Sequence, residues 1–317
     1  VCGIAGIIYR DPQQYYRLGK DLLSAIAPLE SRGTDSCGVG VYGKRVEPPK
    51  IKLILRIESV VWKELSELLD RWAKINELEK IHAGFRVELE LRNNCTIEDL
   101  KSQLVKHLPQ VHLQSSGQQL EIYKEVSDAA SLFAKYNLTE FTGSHGLAHT
   151  RMATESMVDN LRAHPFSAAP DMCIVHNGQI ANYYKLRFEL ERKGILFETD
   201  NDSEAIANYL RYQLLQGKTL EDSLASVLKD FDGTYTFLVA TPDKVGLVRD
   251  KYAAKPAAIY ESDTMVAIAS EHRALLNIPS LDPNGSIREP DAGEINIWSV
   301  AANSADFPSQ AKVFINR

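Results

Sequence analysis

Apolar positions Leu18, Leu22, Leu23, Ile26 and Leu29 recur every three or four residues and predict one face of a helix across 16–31. The run Arg32-Gly33-Thr34-Asp35-Ser36 stops it, and residues 37–42 read as a glycine-rich strand where backbones approach closely. From about 51 to 140 the texture changes. Strands are expected over 51–57, 84–91 and 120–124, an amphipathic helix over 60–75, and a further helix over 128–136. Thr96 followed by Asp99 is the signature of a capping box opening a helix that runs through His107. After it come short strands over 146–150 and 172–176, then helices over 182–193, 203–215 and 220–231. Five short strands close the pattern, over 234–241, 245–249, 257–260, 265–269 and 294–299. Runs of strands and runs of helices without strict alternation predict α+β layers rather than a doubly wound parallel sheet. Residues 44–141 contain no catalytic-looking cluster and read as a lobe inserted into one main domain that occupies the whole of 1–317.

Composition narrows the classes. A chain of 317 residues with 44% hydrophobic and 25% charged residues can bury a large core. The formal charge of −6 gives no reason to expect nucleic acid or a membrane surface as partner. No apolar run approaches the ~20 residues that span a bilayer, and no basic start leads into an apolar segment, so the expected location is the cytoplasm. Cys2, Cys37, Cys95 and Cys173 are far apart and form no CxxC pair, so neither a metal centre nor a disulfide framework is expected.

The stretch Val1-Cys2-Gly3-Ile4-Ala5-Gly6-Ile7-Ile8-Tyr9 carries the first candidate chemistry. With Val1 removed, Cys2 has a nucleophilic thiol and a free α-amine that is a base near neutrality, with a reference pKa of ~7.7–8.0. With Val1 attached, that nitrogen is an amide and its lone pair is delocalised into the carbonyl. The alternative is a small buried cysteine at a strand start. Four other polar clusters stand out: the Arg32–Ser36 turn, the run 149–154, His176-Asn177-Gly178, and Asp202-Ser203-Glu204. Each has a bland reading beside a functional one. Arg151 fits a surface arginine at a strand end, Asn177-Gly178 a hairpin turn, and Asp202 a helix N-cap. Together they supply a nucleophile, a carboxylate clamp, oxyanion donors and an ammonium acceptor.

In combination these stretches resemble the class II glutamine amidotransferases, of the N-terminal nucleophile hydrolase superfamily. The matching segments are Cys2-Gly3-Ile4-Ala5-Gly6, Arg32-Gly33-Thr34-Asp35-Ser36, His149-Thr150-Arg151-Met152-Ala153-Thr154, His164-Pro165, His176-Asn177-Gly178 and Thr199-Asp200-Asn201-Asp202-Ser203-Glu204. They follow the family order and cover 1–43 and about 142–299. The resemblance implies a four-layer αββα sandwich and hydrolysis of glutamine through a thioester on Cys2. It implies that Asn177 and Gly178 bind the oxyanion, that Arg151 with Thr154 holds the substrate carboxylate, that Asp202 holds its ammonium, and that Arg32 supports the N-terminal strand. It implies no metal or cofactor in this chain. Met152 and Glu155 depart from the aromatic residue and histidine that many members have there.

The run His149–Ser156 most resembles the separately encoded amidotransferase subunit of split, archaeal-type glutamate synthases. That resemblance implies a partner synthase subunit with FMN and iron–sulfur clusters that accepts ammonia for glutamate synthesis. Two alternatives stand beside it. One is the amidotransferase-like subunit of N-methylglutamate synthase. The other is a non-catalytic docking subunit, against which the intact Cys2, Arg151, Asn177, Gly178 and Asp202 argue.

Overall fold

The structure, a computed structural model, describes residues 2–58, 61–92, 94–152 and 157–300. Sixteen strands are described: β1 (Gly3–Tyr9), β2 (Ser36–Tyr42), β3 (Lys50–Ile57), β4 (Ala73–Ile81), β5 (Gly84–Leu91), β6 (Val111–Gly117), β7 (Leu120–Glu125), β8 (His145–Arg151), β9 (Phe166–Ala169), β10 (Met172–Ile180), β11 (Gly233–Ala240), β12 (Lys244–Arg249), β13 (Ala258–Glu261), β14 (Met265–Ala269), β15 (Ser286–Arg288) and β16 (Ile295–Ser299). The helices are α1 (Leu18–Ile26), α2 (Trp62–Trp72), α3 (Ile97–His107), α4 (Ala129–Lys135), α5 (Tyr183–Glu191), α6 (Asp202–Leu215), α7 (Leu220–Asp230) and α8 (His272–Leu276).

Two sheets face each other. The first has seven strands in the order β15-β13-β14-β1-β8-β2-β7, and the second five in the order β16-β12-β11-β10-β9. Every neighbouring pair in both is antiparallel. β1 is buried on both faces, which its composition allows because it is almost wholly aliphatic and glycine. Its Ile4 and Ile8 point into the layer between the sheets, where they meet Leu147, Val175, Leu238 and Leu247. The alternate residues Ala5, Ile7 and Tyr9 point outward, onto a helical layer built from α1, α4 and α8. The second sheet is covered by α5, α6 and α7 through Ile206, Leu210, Leu224 and Val227. The expected four-layer αββα sandwich is therefore what the chain forms.

The segment expected as an inserted lobe, about 44–141, divides in the structure. β4, β5, β3 and β6 make a separate antiparallel sheet with its own core of Leu53, Leu55, Leu65, Leu69, Val87, Leu89, Leu100 and Leu104. β7, however, pairs with β2 along six residues, and Ala129, Leu132 and Phe133 of α4 join the main core. The separate sheet thus ends at Gly117, and 120–141 belongs to the sandwich. Two features fasten the junction. The Asp171 carboxylate accepts the backbone N–H groups of Gln118, Gln119 and Leu120 at 2.7, 2.8 and 2.9 Å. Buried Lys52 of β3 pairs with Glu121 of β7 at 2.7 Å. The helix expected over 60–75 is also shorter. α2 stops at Trp72, and Ala73–Ile81 runs as an edge strand that the sequence reading lacked.

Candidate active site

The register of the first sheet brings the front of the chain to the end of β8. Gly3 of β1 pairs with Thr150, and Ser36 of β2 pairs with Arg151, so Cys2 lies beside Arg151 at one end of the sheet. Alternation along β8 directs Leu147, and therefore His149 and Arg151, toward the second sheet. There β10 answers. Cys173 and Val175 face the first sheet, so Asn177 does too, while Ile174 and His176 face the α5–α6 layer. Asn177-Gly178 is not a hairpin turn: both residues pair with β11, opposite Thr236 and Tyr235. Gly178 sits at φ +142°, and a Cβ there would lie 2.1 Å from the Thr234 carbonyl oxygen, so no other residue fits without distortion.

Cys2, Arg151, Gly178 and Asp202 line a single cavity of about 400 Å³. Residues separated by two hundred positions thus meet where the sheet ends and the start of α6 converge. Asn177 is not among the lining residues. It is only 2% exposed, and its Nδ2 is buried with no hydrogen-bond partner among the described residues. An unpaired buried donor is costly, so this amide has a hydrogen bond to offer beyond the described protein groups. Thr154 and Val1 lie outside the described residues.

Each side chain is fixed from behind. The Arg32 guanidinium donates from Nε to the Cys2 carbonyl at 3.1 Å and from Nη1 to Glu271 at 2.6 Å. Burial pushes the Cys2 thiol up, opposed by the positive charge of Arg151. The thiol therefore needs a base to become the nucleophilic thiolate. Arg151 is 3% exposed and donates from Nη1 to the Met157 carbonyl at 3.1 Å. Burial lowers its pKa, opposed by the charges of Asp159 and Asp35 among others. Asp202 is not the helix cap. Asn201 caps α6, its side chain accepting the Ser203 N–H at 2.9 Å. That leaves Asp202 as the first residue of α6, with Oδ2 accepting the Ile180 N–H at 2.9 Å. Glu204 bends back to accept the N–H groups of Glu198 and Thr199, both at 2.7 Å, and so holds the loop leading into α6. Asp200 in the cavity wall accepts from Arg162 Nε at 2.6 Å.

The arrangement has a thiol in the cavity, a cation and an anion in its wall, and an unpaired amide donor next to the wall. It suits a small zwitterion carrying a carbonyl group to be attacked. Relatives agree. A family model described as a glutamine amidotransferase domain matches residues 149–277. Glutamine amidotransferase-like protein GlxB of Rhizobium meliloti (strain 1021) is 37% identical over 94% of this chain and 98% of its own length. The chain belongs to the glutamine amidotransferase family. A putative glutamine amidotransferase of Methanothermobacter thermautotrophicus is 31% identical over 95% of this chain and its full length. Among solved structures, the glutamine phosphoribosylpyrophosphate amidotransferase of B. subtilis superposes with a TM-score of 0.55 at 18% identity, covering 93% of this chain. The amidotransferase chain described here spans about half of that protein, 47% of its length. No helix among the described residues is long and apolar enough to cross a membrane.

Beyond the expected site residues, the structure brings His164, His176 and Ser203 into the same wall. All three lie within the motif stretches, and residue type and spacing alone assign them no role there. The one signal available was that His149, His164 and His176 all fall inside those stretches.

Proposed function

We propose that this chain is the glutaminase subunit of a synthase, releasing ammonia from glutamine for a reaction on a separate polypeptide. The carrying observation is the convergence of Cys2, Arg151, Gly178 and Asp202 on one cavity. Arg151, with Thr154 alongside, holds the substrate carboxylate and Asp202 its ammonium, so the length of the side chain between them places the amide carbon at Cys2. Asparagine, one methylene shorter, misplaces that carbon.

The Cys2 α-amine, free once Val1 is removed, takes the thiol proton, and the sulfur attacks the amide carbon. Negative charge moves to the carbonyl oxygen, which Asn177 Nδ2 and the Gly178 N–H bind. The tetrahedral adduct collapses as the amine returns its proton to the departing nitrogen, giving ammonia and a γ-glutamyl thioester. Water, deprotonated by the same amine, cleaves the thioester to glutamate and restores the thiol. Arg32 holds the Cys2 carbonyl and with it the strand that carries the nucleophile.

The resemblance in the run His149–Ser156 supports glutamate synthesis as the acceptor reaction, on a partner bearing FMN and iron–sulfur clusters. The two relatives that align nearly end to end are named for amidotransfer alone, whereas the phosphoribosylpyrophosphate amidotransferase has about half its length outside the match. The test is to purify the chain with its genomic neighbours. Glutamine-dependent conversion of 2-oxoglutarate to glutamate is expected. Conversion that requires methylamine and yields N-methylglutamate would replace the pathway, and absence of any glutamine hydrolysis in the complex would refute the glutaminase reading.

A further inference from the structure

Three imidazoles, of His149, His164 and His176, are packed at the active-site end of the two sheets at 0%, 4% and 3% exposure. The rings of His149 and His164 stack with centroids 3.9 Å apart. Burial lowers the pKa of all three, so each ring is neutral near pH 7 and carries one N–H. Where those hydrogens sit follows from the partners. His149 Nε2 is 2.9 Å from the His176 carbonyl oxygen, which only accepts, so the His149 hydrogen is on Nε2. His164 Nε2 and His176 Nδ1 stand 2.7 and 2.9 Å from the Ser203 hydroxyl oxygen. The remaining ring nitrogens, His149 Nδ1, His164 Nδ1 and His176 Nε2, are buried without a partner among the described residues. Orphaned buried N–H groups are rarer than orphaned acceptors, so the bare nitrogens are the orphans and both N–H groups point at Ser203. Its lone pairs are then filled, and among the described residues its own proton faces Asp202 Oδ1, at 3.5 Å, with His176 Nδ1 3.7 Å from the same oxygen.

We propose that Ser203, fed by the N–H groups of His164 and His176, is the positioning residue for the Asp202 carboxylate, and that selection for an α-ammonium depends on it. The proposal rests on the reading of Asp202 as the ammonium acceptor. The Ile180 N–H holds Oδ2 and the Ser203 hydroxyl faces Oδ1, so both contacts bias the carboxylate toward one orientation at the cavity wall. Two neutral rings, of His164 and His176, supply this orientation without placing a second cation next to the ammonium site.

The experiment compares inhibition of glutamine hydrolysis by L-glutamate and by glutarate, which differ only in the α-ammonium. Wild type, Ser203→Ala, Ser203→Thr and Asp202→Asn are each tested as the full chain. Ser203→Ala is expected to weaken L-glutamate about tenfold and glutarate much less, with KM for glutamine rising in step and kcat little changed, the scale of one hydrogen bond to a charged group. Ser203→Thr, which keeps the hydroxyl, should recover most of the preference. Equal weakening of both ligands by Ser203→Ala overturns the proposal. So does an unchanged preference in Ser203→Ala when Asp202→Asn loses it. If Asp202→Asn itself keeps the preference, the reading of Asp202 fails and takes the proposal with it. Nitrogen-15 NMR of the histidine rings in the wild-type chain gives a readout independent of any variant's folding. Nδ1–H on His176 and Nε2–H on His164 are expected, and Nε2–H on His176 would refute the relay.

Discussion

Replacing Lys124 with methionine removes a cation that the fold buries near the end of β7. Lys124 is 7% exposed. Its Nζ donates to the Ala163 carbonyl at 2.9 Å, with the Leu161 and Pro165 carbonyls at 3.3 and 3.5 Å, and it lies 5.2 Å from the centre of the Phe166 ring. These carbonyls belong to the segment that presents His164 to Ser203. Burial pulls the Lys124 pKa down to about 8 from 10.5. The unfolded chain holds this proton up to ~10.4, so between these values the unfolded state binds more protons and stability rises with pH. A gap of about 2.5 pH units at ~1.36 kcal/mol each makes the group's contribution about 3 kcal/mol less favourable at pH 7 than at pH 10.5. Lys124→Met keeps the apolar stem and removes that dependence. At pH 7 the relief is offset in part by three carbonyls losing a donor, at about 1 kcal/mol each. The neutral-pH stability should therefore change little, while the difference between the two proteins shifts by about 3 kcal/mol toward the wild type as pH rises to 10.5. Urea unfolding of both proteins at the two pH values measures this. Parallel pH dependences would refute the reasoning.

Three further substitutions separate roles in the site from roles in the scaffold. Asn177→Ala removes one oxyanion donor and should lower kcat about 10²–10³-fold with KM little changed; a loss under tenfold would reject that role. Arg151→Lys keeps the charge but not the two-pronged fork, so KM for glutamine should rise about tenfold with kcat within a few-fold, and a loss confined to kcat would reject the clamp. Asp171→Ala strips the acceptor from three backbone N–H groups at the junction with the separate sheet and should lower unfolding stability by about 2 kcal/mol while sparing kcat; an unchanged denaturation midpoint would contradict it.

Local signals were legible in the sequence where one short stretch carries the whole cause. Thr96 and Asp99 form the capping box as read, because both partners lie within one turn. The helix over 60–75 was overextended because Trp72 and Ile75 continue the spacing of Leu65, Leu68 and Leu69, and neither Gly nor Pro marks the break. β4 is hidden in the sequence because it is an edge strand with Glu77, Glu79 and Lys80 exposed, and a bulge between Ile75 and Glu77 breaks its apolar–polar alternation. β7 was legible as a strand, but its membership of the main sheet depends on pairing with β2 some eighty positions earlier, which no local pattern encodes. At the site, chemistry was legible through residue types and order. The hidden part was the second layer. Ser203 reads as an ordinary helix-start serine, and only the packing of β10 and of the segment before β9 against α6 brings two imidazoles onto its hydroxyl.

The central claim is that Cys2, as the mature N-terminus, attacks the side-chain carbonyl of glutamine. The most direct measurement treats protein from its native host with a glutamine analogue carrying a diazoketone in place of the amide, followed by intact mass and peptide mapping. The expected result is one adduct per chain, on a peptide that begins at Cys2, with glutaminase activity lost in proportion and protection by excess glutamine. Labelling elsewhere, or full activity in a chain that retains Val1, would contradict it.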